Sequence, residues 1–133
     1  MQNTPYPLVW LGDEGILRID YGRNPRIDLA AISSAHAQHR ALSLTPRPVL
    51  IRGEGTLTST SEAEAFSISA PVCAITTAVA LMQPNLAARL AVKLYLIYHR
   101  PPYPCQAFDD EAQALAWLSQ YLPAMPENNT ARG

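Results

Sequence analysis

The chain has 133 residues, 48% of them hydrophobic and 16% charged, with a formal net charge of −1. That length suits one domain with a proper core. The near-neutral balance, with 10 scattered Lys and Arg, argues against a protein that grips nucleic acid through a broad basic face.

Residues 1–6 read as a loose tail. PLVWL (7–11) and GILRIDY (15–21) read as strands of a hairpin around the turn Gly12-Asp13-Glu14-Gly15, the second with period-two alternation. Asp28 is placed to cap a helix reaching about Leu42. At about 100° per residue, Leu29, Ile32, Ala35, His39 and Leu42 share one broad face of it. PVLIR (48–52) is a short apolar strand set off by Pro46 and Pro48. The loop GEGTLTSTSEAEAF then leads into a short helix from about Ser61, where Ser61 and Glu64 fit a capping box.

VCAITTAVALM (72–82) is nearly all apolar and rich in β-branched residues, which predicts a strand buried on both faces. A bilayer span needs roughly 20 apolar residues, so no transmembrane segment is expected. Pro84 opens a helix through about His99, and Pro101, Pro102 and Pro104 stop it. YPCQAF supplies the last strand. The helix that follows is capped by Asp109, carries Asp110 and Glu111 in its first turn, and holds Trp117. Its face comprises Ala114, Leu115, Leu118, Tyr121 and Leu122. PAMPENNTARG (123–133) reads as a disordered tail. The order β-β-α-β-α-β-α-β-α predicts an α/β (α+β) fold, a mixed sheet of about five strands with four helices. Residues 7–122 form a single domain on this reading, because neither a repeat nor a linker divides them.

No catalytic constellation is visible, so the chain does not read as an enzyme and implies no cofactor. GxSxG and CxxC are absent, and Gly53-x-Gly55 has no following Lys, so it is not a phosphate-binding loop. Cys73 and Cys105 read as buried free thiols in a reducing compartment. No secretory signal is legible, and a cytoplasmic location is expected. His36 and His39, three apart, are too few ligands for a metal site, and a core or boundary histidine with one hydrogen bond is expected instead.

The helix over 85–98 is the oddity. Only Arg89 and Lys93 form a polar strip on it; apolar residues cover nearly all the rest. A helix apolar almost all round is buried twice. One side meets the sheet. The other meets a second subunit, or else lines a cavity for an apolar ligand or lipid. Leu90, Leu94, Tyr95 and Tyr98 are the residues for such a homodimer interface or pocket.

Three stretches carry a family resemblance: GDEGILRIDY at the hairpin, RPVLIRGEG at the third strand, and ITTAVALMQPNLAARLAVKLYLIYHRPPYPCQAFDDEAQALAWL. The last ends in a Phe-x5-Ala-x-x-Trp-Leu helix, here Phe108, Ala114, Trp117 and Leu118. Over roughly 7–122 the chain resembles a STAS-like (anti-sigma-factor-antagonist-like) domain of the small bacterial type. The resemblance implies a non-catalytic regulatory or ligand-binding module with a protein partner. It also implies a phospho-acceptor hydroxyl before the second helix, for which Ser59, Thr60 and Ser61 are the positional candidates. The Asp before and the Gly after that hydroxyl, present in true anti-sigma-factor antagonists, are missing here.

Overall fold

The computed structural model describes residues 6–123 apart from Thr56, His99 and the Tyr98 side chain. The expected tails lie almost wholly outside that range. The chain opens with β1 (Leu8–Leu11) and β2 (Leu17–Arg23), paired antiparallel as the predicted hairpin. The turn between them closes with Gly15 at φ +96°, a left-handed conformation that a side chain resists. Gly22, at φ +91°, sits where the pairing register of β2 slips, and a Cβ there would lie 2.9 Å from the Tyr6 ring.

After the two-residue β3 (Arg26–Ile27), α1 (Leu29–Leu42) begins at Asp28, whose Oδ1 accepts from Ala31 N at 2.9 Å. Next come β4 (Arg47–Glu54), the two-residue β5 (Thr58–Ser59), α2 (Ser61–Ser67) and the one-turn α3 (Ala70–Cys73). β3 and β5 pair parallel as a small second sheet that sequence reasoning did not foresee. The chain finishes with β6 (Thr76–Met82), α4 (Leu86–Tyr98), β7 (Cys105–Phe108) and α5 (Glu111–Ser119).

The main sheet has five strands in the order β1-β2-β4-β6-β7, with every pair after the hairpin parallel. That order dictates the layers. Three crossovers, β2 to β4, β4 to β6 and β6 to β7, step the same way across the sheet. Parallel crossovers are right-handed almost without exception, so α1, α2 and α4 fall on one face. The helix after the last strand is free to cover the other. The core divides accordingly. Leu17, Ile19, Tyr21, Val49 and Val79 pack beneath Ala35 of α1, while Ile16, Leu50, Ala78, Ala80 and Phe108 pack beneath Ala114 and Leu118 of α5. Ala78, Ala80 and Ala114 are fully buried, which lets α5 approach the sheet closely.

Four local expectations are corrected. The run 72–82 is not one strand: residues 70–73 form α3, with Pro71 in its first turn where the missing N–H costs nothing, and β6 starts at Thr76. The helices therefore number five among the described residues. The α2 cap is Thr60, not Ser61. Thr60 is extended and its Oγ1 accepts from Ala63 N at 3.1 Å, whereas Ser61 is already helical. The α5 cap is Asp110, not Asp109: Asp110 Oδ1 accepts from Ala112 N at 2.8 Å, while Asp109 pairs with Arg89 at 3.5 Å. On α1, Leu29 and Leu42, at the first and last positions of the helix, are exposed, leaving Ala35 and His39 as its buried residues.

Candidate functional site

α4 packs against the edge strand β7 and stands away from α2. Between the two helices, over the face of the sheet that α1 also covers, lies a pocket of about 830 Å³. Ile51 of β4 with Val79 and Leu81 of β6 form its floor. Ala63 and Ser67 of α2 make one wall and Val92, Tyr95 and Leu96 of α4 the other; Tyr103 and Arg100 come from the proline-rich turn. The floor is apolar because strands covered on both faces alternate apolar residues on each side. The gap itself follows from the short α2, which ends at Ser67 and cannot fill the space beneath α4.

Polar contacts concentrate at the edges. The Tyr103 hydroxyl donates to Ser67 O at 2.8 Å and ties the turn to α2. Burial holds the Tyr103 phenol above the ordinary tyrosine range, so it is neutral. At the rim Glu64 joins three elements: it accepts from Ser59 Oγ at 2.6 Å and from the Tyr95 hydroxyl of α4. Burial, with that carboxylate second, raises the Tyr95 phenol as well. Cys105 lines the pocket, but burial pushes its thiol up to about 12, which leaves it protonated and a poor nucleophile. Both cysteines are free and half-buried rather than fully buried as expected.

The structure brings two sets of expected residues to one rim. Ser59 and Ser61 line the pocket edge, and Thr60 lies between them as the α2 cap. Tyr95 faces the same rim from α4. Leu90 and Leu94 do not join it. They are 53% and 59% exposed, in a row with Leu86 and Ile97 at 63% and 55%, and Leu90 instead borders a second pocket with Gln106 and Ala107 of β7. The Tyr98 side chain lies outside the described residues.

Tyr103 and Leu96 were missed; the PPYP turn carried the only signal, an aromatic residue held between prolines. His36 and His39 end with their Nε2 atoms buried and without a hydrogen-bond partner among the described residues. His39 is 3% exposed, and burial, then neighbouring His36 and Arg47, lowers its pKa to about 4. No group of three or more His, Cys, Asp or Glu able to hold a metal occurs among the described residues.

Over residues 9–122 the chain matches the model of a domain of unknown function, DUF7793. A search of curated proteins by sequence returns no match. Among solved structures, the chain is similar to a DUF3478-family protein with a SpoIIAA-like fold from Shewanella loihica PV-4. The two share 15% identity at a TM-score of 0.62, over 89% of this chain and 98% of that one. At that identity the likeness shows the fold, which is STAS-like. No described helix is long and apolar enough to cross a membrane.

Proposed function

The chain belongs to the DUF7793 family, and we propose that it is a non-catalytic binding module that holds an apolar small molecule in the pocket between α2 and α4. The pocket's size and lining carry this reading. Small-molecule sites run to roughly 300–1,000 Å³ and are mostly apolar with a few polar groups at fixed points, a description that the pocket meets. The groups within reach also favour binding over chemistry. The thiol is protonated, the phenols are neutral, and the single carboxylate at the rim is engaged by Ser59 and Tyr95.

The test is displacement of N-phenylnaphthylamine, a neutral probe that fluoresces in apolar surroundings. Wild-type protein is expected to enhance its emission, and Val92→Trp, which puts an indole into the cavity from α4, to abolish most of that enhancement. Equal enhancement by the folded variant would place the probe elsewhere and remove the support for this reading.

A second reading rests on a different observation. Leu86, Leu90, Leu94 and Ile97 form an exposed apolar ridge along α4, beside the open edge of β7. Soluble monomers seldom leave a large contiguous apolar patch in water, and a second copy of the chain could cover this one to give a homodimer that acts as a regulatory module. The two readings are compatible, since the pocket uses the opposite side of the same helix. At the α2 end, the three hydroxyls of 59–61 are the proposed contact points for a protein partner or a kinase; Thr60 caps the helix and Ser59 donates to Glu64.

A further inference from the structure

Behind the main pocket, the same face of the sheet holds a smaller cavity of about 60 Å³. The two adjoin, for Tyr21, Ile51, Val79 and Tyr103 line both. Its far wall is α1, which contributes His36 and His39. Both Nε2 atoms are buried, and neither meets a partner among the described residues. A buried polar atom without a hydrogen bond is costly, and here two lie three residues apart on the helix that walls the cavity, each reachable by a ligand once its imidazole turns toward that cavity.

We propose that the pocket takes a neutral amphiphile, an alkyl or isoprenoid-type alcohol, whose hydroxyl enters this inner cavity and hydrogen-bonds to Nε2 of His39 and His36 while its hydrocarbon lies beneath α4. The inference rests on the apolar-ligand reading and names the ligand class for it. Three features select a hydroxyl. The cavity, at about 60 Å³, is small beside the main pocket and suits the terminal group of a chain rather than its body. A neutral imidazole offers a bare nitrogen or an N–H at Nε2 according to its tautomer, and a hydroxyl can donate to the first or accept from the second. An ionised carboxylate would instead lose its water among Ile32, Val49 and Val79, at a cost that an unprotonated imidazole does not offset. The Phe66 ring packs edge-on against His36, 5.5 Å between centroids, on the α2 side of that imidazole.

The experiment compares dodecanol with dodecane as competitors of N-phenylnaphthylamine, on wild-type protein and on His36→Leu/His39→Leu. Dodecanol is expected to lose about tenfold in affinity on the double variant, the loss of one or two ordinary hydrogen bonds, while dodecane and the dye are unaffected. Dodecanol that binds both proteins equally, with the dye still bound, overturns the alcohol inference and leaves the apolar pocket standing. Dye that binds neither protein overturns both. A measurement on the wild type alone guards against a variant that does not fold: the imidazole nitrogen resonances of His39 should move on adding dodecanol and stay put with dodecane. Resonances that do not respond to dodecanol under saturating conditions sink the proposal.

Discussion

Acidification should weaken this protein through His39 in a window that the structure defines. At neutral pH the imidazole is neutral whether the chain is folded or not. Below about pH 6.5 the unfolded chain takes up a proton there, while the folded chain resists until about pH 4. A depressed folded-state pKa means that the unfolded state binds more protons across that interval, so stability falls as pH falls through it. Its neighbours act in the same sense. Arg47 on β4 and His36 on α1 oppose a charge on His39, and Arg40 opposes one on His36. Tyr21, which also lines this cavity, is held neutral by burial. One proton is linked at about 1.4 kcal/mol per pH unit, so the loss approaches 2–3 kcal/mol by about pH 4.5. Urea unfolding followed by tryptophan fluorescence, in wild-type and His39→Leu protein, measures it. The variant should lose roughly 2 kcal/mol less than wild type between neutral pH and about pH 4.5. At neutral pH it should be no less stable, because leucine removes a buried unpartnered nitrogen worth about 1–3 kcal/mol. Parallel pH profiles for the two proteins would refute the assignment of a buried neutral imidazole.

Asp110→Ala should cost about 1 kcal/mol by loss of the α5 cap, and Asp109→Ala only a few tenths, because its ion pair with Arg89 is exposed; thermal denaturation of the two variants ranks them. Ala114→Leu should destabilise by about 1–3 kcal/mol, since the added branch has no room where α5 meets Ala78 and Ala80, and urea titration reads the loss directly. Leu50→Ala, at a fully buried position beneath the same helix, should cost about 2–5 kcal/mol in the same assay. Leu90→Glu/Leu94→Glu should leave stability nearly unchanged while converting a homodimer to monomer by sedimentation velocity; an assembly state insensitive to both charges would remove α4 from the interface.

Some features were open to reading along the chain and others were not. The hairpin, the parallel strands and the long helices follow from local chemistry: alternation in GILRIDY, the cap at Asp28, the prolines that bracket α4. Where two chemically equivalent caps stand side by side, as at Thr60-Ser61 and Asp109-Asp110, composition does not choose between them. The choice falls to whichever backbone is extended when the helix starts. The apolar run at 72–82 hid a one-turn helix for a similar reason, since an unbroken apolar stretch has no period to separate helix from strand.

By itself, the sequence determined that a mixed five-stranded sheet would form and that α4 would have too many apolar faces for a simple surface helix. Periodicity and capping act within a few residues, so they survive being read one segment at a time. Only the tertiary structure decided which side of α4 closes a pocket and which is left as an exposed ridge, and that the rim of α2 meets Tyr95. It alone set two histidines, unremarkable as an i, i+3 pair, against a cavity that adjoins the pocket. The reason is topological: three crossovers stepping one way place three helices on a single face, and the space they fail to fill belongs to no one segment.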